Sequence, residues 1–82
     1  MSLIQTVYLM ERYGLRLNVE QLADALDSTP AAIHRRISDG TFEVPTYIDG
    51  KKRYADVRDV AAYLDRKRDE ATQAIKAAGE AK

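Results

Sequence analysis

Residues 17–54 read LNVEQLADALDSTPAAIHRRISDGTFEVPTYIDGKKRY, and this stretch contains two helix signals followed by a hairpin signal. The first helix is predicted to begin after Asn18, because an Asn side chain accepts a hydrogen bond from the free backbone N–H groups at a helix start. Four apolar residues then recur at positions i, i+3, i+4 and i+7, and this spacing places them on one face of a helix that ends near residue 26. They are Val19, Leu22, Ala23 and Leu26. A short amphipathic helix is therefore expected here.

A second helix is predicted between Thr29 and Gly40. Thr29 is a suitable N-cap, and Pro30 suits the first helical position because its missing N–H would be unpaired there in any case. Gly40 can adopt the left-handed conformation that ends a helix. Ile33 and Ile37 lie one turn apart and form the face that packs on the core. Only three residues separate the two helices, which is the spacing of a helix-turn-helix.

The pattern after residue 40 is that of a β-hairpin. Two short extended runs, residues 44–48 and 51–54, flank the pair Asp49-Gly50. Asp-Gly between strands is the strongest short hairpin signal, because a type I′ turn needs positive φ at both central positions. Three basic residues leave the predicted turn together: Lys51, Lys52 and Arg53. A hairpin with a basic tip is therefore expected beside the helix pair.

Helices are predicted on both sides of this stretch. Ser2 and Gln5 have the spacing of a capping box for a helix that stops near Gly14. Asp56 caps a last helix, whose apolar face fades after residue 66. That face consists of Val57, Val60, Ala61 and Leu64. The predicted order along the chain is therefore helix, helix pair, hairpin and helix.

Eighty-two residues, 45% of them apolar, suffice for one globular domain. The order of elements predicts a mainly α fold with a small β-hairpin, of the winged helix-turn-helix class. We expect this domain over residues 1–70, including the N-terminal helix, and an Ala-rich tail that is helical or frayed over residues 71–82. The tail beyond about residue 68 is expected to contribute little to the fold, because its apolar face is mainly alanine.

The excess of basic residues lies in the middle of the chain. The net charge is zero, with 13 basic and 13 acidic residues, and this balance counts against nucleic-acid binding. However, residues 28–55 hold five basic residues against three acidic ones, in two clusters on the second helix of the pair and on the hairpin. The local excess is therefore placed where a winged helix-turn-helix protein contacts DNA.

The exposed face of the second helix of the pair, together with the hairpin, provides the predicted DNA-binding residues. These are Ala31, Ala32, His34, Arg35, Arg36, Ser38, Lys51, Lys52 and Arg53. Small residues let the helix backbone approach the floor of a groove, and His34 and Arg35 can reach base edges or phosphates. The hairpin cations would neutralise phosphates of an adjacent groove.

Several of these residues also have a purely structural interpretation. His34 and the hairpin tip are also compatible with a solvated surface, and Arg35 with an ion pair to Asp39 one turn later. Arg36 either covers the seam between the two helices or faces DNA. The sequence leaves these alternatives open.

Residues 17–68 resemble the excisionase-like and prophage-regulator winged helices, which are relatives of the MerR DNA-binding domain. The motifs TVYLMERYG (6–14), VP (44–45) and DVAAYLDRKR (59–68) are more specifically similar to the pyocin-activator family of phage transcription activators. The resemblance implies that Ala32, His34 and Arg35 contact the major groove and that residues 51–53 form the wing contact. Two positions depart from the family pattern: Ser28 stands where an aliphatic residue is usual, and Arg36 where an aromatic is common.

The resemblance implies sequence-specific binding to double-stranded DNA and activation of phage or bacteriocin-type genes, with RNA polymerase as a further partner. An excisionase-like factor that bends DNA for recombination, with an integrase as partner, would have the same fold and contacts. A small protein-interaction module that uses the apolar first helix is the alternative from another class. The zero net charge keeps this last alternative open.

No catalytic site, metal site or cofactor is predicted, and the chain is not expected to be an enzyme. There is no cysteine, and His34 is the single histidine and has no second ligand near it in sequence. Ser38 lies one turn from His34, but no glycine-rich oxyanion loop accompanies them. The longest apolar run is far too short to span a membrane, and a cytoplasmic location is expected.

The first helix is more apolar than one buried face requires. Residues 7–10 are all apolar or aromatic and point in all directions around a helix. Either neighbouring elements cover this helix completely, or it forms a surface for self-association that makes DNA binding cooperative. We expect Leu9 to be the least covered of these residues within the monomer.

Overall fold

The computed structural model describes residues 3–80, which are mainly helical with a small three-stranded antiparallel sheet. The elements are α1 (Leu3–Tyr13), β1 (Arg16–Asn18), α2 (Val19–Ala25), α3 (Pro30–Asp39), β2 (Tyr47–Asp49), β3 (Lys52–Asp56) and α4 (Val57–Glu80). All predicted helices are present. The predicted Ser2 cap and residues 81–82 of the predicted tail lie outside the described residues.

The bounds of α2 and α3 follow from their caps, as predicted. The Asn18 side chain accepts a hydrogen bond from the Gln21 backbone N–H (2.9 Å), and the Gln21 side chain accepts one from the Asn18 backbone N–H (3.0 Å). At α3, the Thr29 hydroxyl oxygen accepts from the Ala32 backbone N–H (3.1 Å), and Gly40 ends the helix with φ 74°. These bonds satisfy backbone groups that have no partner within a helix.

The sheet has the strand order β1-β3-β2, so β3 is its central strand. In β1, Leu17 is opposite Ala55 and Asn18 is opposite Tyr54. On the other side of β3, Tyr47 is opposite Tyr54. The sequence predicted β2 and β3 but not β1, because three residues are too few to show an alternating pattern.

The turn of the hairpin lies one residue later than predicted. Asp49 is opposite Lys52, so the two turn residues are Gly50 and Lys51 and not Asp49-Gly50. Gly50 has φ +69°, whereas Lys51 is not in the positive-φ region, which is the pattern of a Gly-X turn of type II′ and not of type I′. The first strand is also shorter than predicted, since Pro45 cannot donate to a strand ladder.

The core is formed by the apolar faces of the helices and one face of the sheet. Leu17, Leu22, Ile33 and Val60 are fully buried. The other buried apolar residues are Leu9, Val19, Ala23, Val44, Ala55, Val57 and Ala61. The predicted helix faces are confirmed by this set, while Leu26, Ile37 and Leu64 are half-buried at its margin.

Helix α4 extends well beyond the rest of the fold. Its 24 residues correspond to roughly 36 Å, and the described chain measures 53 Å along its longest axis but 30 and 17 Å across. The side chains of residues 66–79 are exposed. Residues 71–80 of the predicted tail are thus helical, and residues 71–79 project into solvent. No helix within residues 3–80 combines the length and apolar composition that crossing a membrane requires.

The prediction for Leu9 is wrong. Leu9 is 5% exposed, because α1 packs on α4 through the face that carries Thr6 and Leu9. The opposite face of α1 carries Leu3, Ile4, Val7 and Tyr8, which are 77%, 83%, 43% and 60% exposed. In a run of four consecutive apolar residues at 100° intervals, at least one must point towards the body of the protein. We call these four exposed residues the outer face of α1.

Candidate nucleic-acid interface

Helix α3 is held by one face and exposes the other. Ile33 is completely buried against Val19 and Ala23 of α2, and Ile37 packs beside it. The predicted contact residues Ala31, His34, Arg35 and Ser38 are exposed, and Ala32 is half-buried. The helix therefore presents small side chains near its start and two long polar ones in its second turn.

One cleft connects α3 with the hairpin formed by β2 and β3. It encloses about 440 Å³ and is bordered by the starts of α2 and α3 on one side and the hairpin on the other. Its lining residues are Asn18, Val19, Glu20, Pro30, His34, Ile48, Lys51, Lys52 and Arg53. The structure thus brings His34 together with all three predicted hairpin cations. It places Ala31, Ala32, Arg35 and Ser38 outside this cleft, on the rest of α3.

Arg35 is available for an external partner. It is exposed, and within residues 3–80 it makes no ion pair with Asp39 or with any other acidic side chain. The ion pair that the sequence left open for this residue is therefore not formed. The guanidinium extends from α3 and forms no ion pair with the described part of the chain.

Arg36 occupies a different environment from Arg35. Its guanidinium carbon lies 5.3 Å from the centre of the Phe42 ring, and the residue is half-buried. Phe42 itself packs against both core clusters. The Arg36 side chain thus covers part of the Phe42 ring, as one of the two predicted roles requires, and its contact with DNA stays a prediction.

The three hairpin cations are not equivalent. Arg53 is half-buried, and its Nη1 donates to the hydroxyl oxygen of Thr46 at 2.8 Å. Lys51 and Lys52 are exposed, and neither takes part in an ion pair in the described part of the chain. Two ammonium groups that are unpaired within the described residues therefore flank the cleft beside His34.

The sheet contributes a residue that the sequence did not indicate. Arg16 of β1 donates from Nη1 to Oδ2 of Asp49 at 2.7 Å, and its guanidinium carbon lies 3.8 Å from the centre of the Tyr54 ring. The hydrogen bond to Asp49, and after it one to Tyr47, raises the pKa of Arg16 above its already high usual value. Arg16 and Asp49 are 33 residues apart, and only the unpredicted pairing of β1 with β3 brings them together.

Glu20 is a second residue that sequence analysis missed. It is the one acidic side chain among the residues that line the cleft, and it is exposed. Its position in the first turn of α2 also suits a carboxylate, because the helix macrodipole favours negative charge there. No sequence signal placed it near the hairpin, since that requires the packing of α2 beside β3.

No family model, curated protein or solved structure matches the chain. The function is therefore inferred from the geometry of the cleft and its borders. Within residues 3–80, no group of three or more His, Cys, Asp and Glu side chains could hold a metal ion. The distinctive chemistry of the described surface is cationic and hydrogen-bonding: His34, Arg35, Lys51 and Lys52.

Proposed function

We propose that the protein is a winged helix-turn-helix regulator that binds double-stranded DNA sequence-specifically and activates phage or bacteriocin-type genes. In this proposal α2 and α3 are the helix-turn-helix, α3 is the recognition helix and the hairpin is the wing. The observation that carries it is that His34 of α3 and the free cations Lys51 and Lys52 border the same cleft. A ligand that contacted both α3 and the hairpin would be anionic and extended.

The dimensions and side chains of α3 support duplex DNA as that ligand. Ten residues give a helix of roughly 15 Å, which fits the major groove of B-DNA. Ala31 and Ala32 allow the backbone to approach closely, while Arg35 can pair with the O6 and N7 acceptors of guanine. Lys51 and Lys52 would then bind phosphates beside the groove.

The zero net charge does not oppose this proposal, because the relevant quantity is the local charge. Most acidic side chains lie away from the cleft, and several are paired with arginine or lysine, as in the Arg12–Asp24 and Lys67–Glu43 bridges. Two free lysines and Arg35 nevertheless supply few phosphate contacts. A single copy is therefore expected to bind DNA weakly, since phosphate neutralisation supplies most non-specific affinity.

Self-association would compensate for weak binding by one copy. We propose that neighbouring copies on DNA meet through the outer face of α1, which is apolar and uncovered within residues 3–80. Linked binding events raise the overall affinity without any new contact to DNA. As an activator, the DNA-bound protein would also meet RNA polymerase.

Two alternatives share some of this evidence. An excisionase-like factor would use the same contacts and would be recognised by bending of the bound duplex and by an integrase partner. A protein-interaction module is favoured by the outer face of α1, where Leu3 and Ile4 are among the most exposed apolar residues of the chain. It predicts binding to a protein in the absence of any DNA affinity.

Selection from a randomised duplex library tests the proposal. The purified protein should enrich one motif over successive rounds, and it should bind the enriched duplex more tightly than a scrambled duplex of the same composition. The Arg35→Ala variant is expected to enrich a less defined motif, because base contacts are lost. Failure of the parent protein to enrich any motif, or to bind duplex DNA at low salt, would contradict the proposal.

A further inference from the structure

The solvent-facing side of the sheet carries three interacting residues, one from each strand. The register places Arg16 of β1, Tyr54 of β3 and Asp49 of β2 on the same face, opposite to the core residues Leu17 and Ala55. The Arg16 side chain crosses the central strand over the Tyr54 ring (3.8 Å) and reaches Asp49 (2.7 Å).

Asp49 has a second cation within reach. It is directly opposite Lys52 in the hairpin register, on the same face of the sheet. Directly opposite residues of antiparallel strands have Cβ atoms about 5 Å apart, and opposite charges at such positions attract each other. Lys52 is therefore the cation that Asp49 would pair with if Arg16 were absent. In the structure Asp49 bonds to Arg16 instead, and Lys52 has no ion pair among the described residues.

We propose that Arg16 is a positioning residue of the DNA-binding site, which engages the Asp49 carboxylate and thereby keeps Lys52 free for a phosphate. This inference rests on the proposed DNA-binding function. Arg16 need not touch DNA for this role, because it acts through Asp49. Lys52 then provides a full positive charge at the hairpin tip, where an Asp49–Lys52 pair would cancel it.

The chemistry of Arg16 fits this role better than a contribution to stability. Its side chain is 41% exposed and that of Asp49 is 59% exposed, and ion pairs between exposed groups stabilise folds very little. The planar guanidinium can lie on the Tyr54 ring while it donates to a carboxylate, which an ammonium group does not do as well. Tyr54 thus holds Arg16 in the orientation that reaches Asp49.

The experiment measures DNA affinity over a salt series for the parent and four variants on one duplex. The variants are Arg16→Gln, Asp49→Asn, the double variant Arg16→Gln/Asp49→Asn, and Arg12→Gln. Arg12 is the matched control, because it also forms an exposed pair, with Asp24 at 3.3 Å, and also lies over a tyrosine ring, that of Tyr13, but it is outside the residues that border the cleft. Circular dichroism melting of each variant checks the fold.

We expect Arg16→Gln to weaken binding several-fold and to lower the slope of log Kd against log salt by about one, since one phosphate contact is lost. The double variant should recover the slope of the parent, because without its carboxylate residue 49 no longer captures Lys52. Asp49→Asn alone should not lower the slope, and Arg12→Gln should leave it unchanged. A structural or a direct DNA-contacting role of Arg16 would not be rescued by removal of Asp49.

Three results would overturn the inference. They are an unchanged slope in Arg16→Gln, the absence of recovery in the double variant, and a lowered slope in Asp49→Asn. The salt slope of Asp49→Asn tests the inference even if Arg16→Gln unfolds, because the Asp49→Asn variant still contains Arg16. If the parent binds DNA and one of these results is obtained, this inference alone is wrong. If the parent binds no duplex at low salt, the proposed function fails together with it.

Discussion

In the proposed complex, Arg35 and the hairpin lysines would make different contacts to DNA, although all three are exposed and free of ion pairs within residues 3–80. Arg35 lies on α3, whereas Lys51 and Lys52 lie at the tip of the hairpin. We expect Arg35→Ala to cost about 1–3 kcal/mol on the enriched duplex and to relax base preference. Replacement of both lysines with Gln should weaken binding to all duplexes alike and lower the salt slope by about two.

The measurement is a titration of enriched and scrambled duplexes with each variant over a range of salt. Arg58→Ala provides the control for the loss of one exposed arginine away from the cleft. Binding of both variants with the affinity and salt slope of the parent would show that α3 and the hairpin do not dock on DNA.

Asp56 supports the start of α4 through its charge. Its Oδ1 accepts from the Arg58 backbone N–H at 2.8 Å, and the Arg58 guanidinium donates to both of its oxygens. The Arg58 guanidinium, and after it the backbone hydrogen bond, lowers the pKa of Asp56 below its usual 3.8 despite partial burial. Because the folded pKa is the lower one, this stabilisation is present above pH 3.8 and is lost as the pH falls through the folded value.

We therefore expect Asp56→Ala to lower the free energy of unfolding by about 0.5–2 kcal/mol at neutral pH, the usual effect of losing an N-cap. The difference between parent and variant should narrow well below pH 3.8, where the parent's Asp56 is protonated as well. Urea unfolding of both proteins at neutral and at acidic pH measures this difference in the free energy of unfolding. If the variant lost the same free energy of unfolding at both pH values, the charge of Asp56 would not contribute to stability.

The candidate site could be predicted in part from individual residues. Arg35, Lys51 and Lys52 were identified because basic residues at helix and hairpin positions are visible in sequence, and their exposure follows from the periodicity of buried neighbours. Arg16 and Asp49 could not be identified, because their relation depends on a contact between strands that are distant in the chain. Interactions of this kind have no local sequence signature.

The helices and strands show the same contrast: elements with a local sequence signal were predicted, and the element that depends on a distant contact was not. Helices α2 and α3 are fixed by caps within a few residues of their ends, so their bounds were predictable. Strand β1 exists because β3 pairs with it, and nothing in Arg16–Asn18 alone specifies a strand. The hairpin was predicted correctly, but its turn moved by one residue because glycine suits more than one type of tight turn.

A glutamate is expected to affect folding differently on the two faces of α1. Leu9 is 5% exposed, so Leu9→Glu should unfold the protein by burying an unpaired charge. Ile4 is 83% exposed, so Ile4→Glu should preserve the fold and lower cooperativity on a duplex long enough for several copies. Circular dichroism reports on folding, and titration of long and short duplexes reports on cooperativity.

Gln73→Glu is the control for this pair, because it adds one negative charge at an exposed position of α4. Cooperative binding by Ile4→Glu equal to that of the parent would exclude the outer face of α1 as the contact between copies. Non-cooperative binding by the parent itself would make the protein a monomeric DNA binder.

The projecting part of α4 is expected to be dispensable for folding of the monomer. Residues 71–79 are exposed, and the largest apolar side chain among them, Ile75, is 75% exposed. A chain ending at Glu70 should therefore keep its Tm within a few degrees of that of the full chain. A larger decrease in a thermal melt would mean that the projecting helix packs on a second copy, and the Tm of the full chain would then depend on protein concentration.

For the molecule as a whole, the distribution of charge is more informative than its total. Although the net charge is zero, α3 and the hairpin carry a histidine together with two lysines and an arginine that form no ion pair within residues 3–80. Four of the nine exposed large apolar residues of the described chain form the outer face of α1. This separation is consistent with one surface for DNA and another for a second copy of the protein.

The central claim is that α3 and the hairpin together form the surface that meets DNA. Backbone amide chemical shifts of the isotope-labelled protein, recorded by NMR during titration with the enriched duplex, test it most directly. We predict that the changes concentrate at residues 31–38 and 50–53, and that residues 66–79 of α4 show little change. Changes confined to α1 or to α4, or no change in any amide at low salt, would contradict the account.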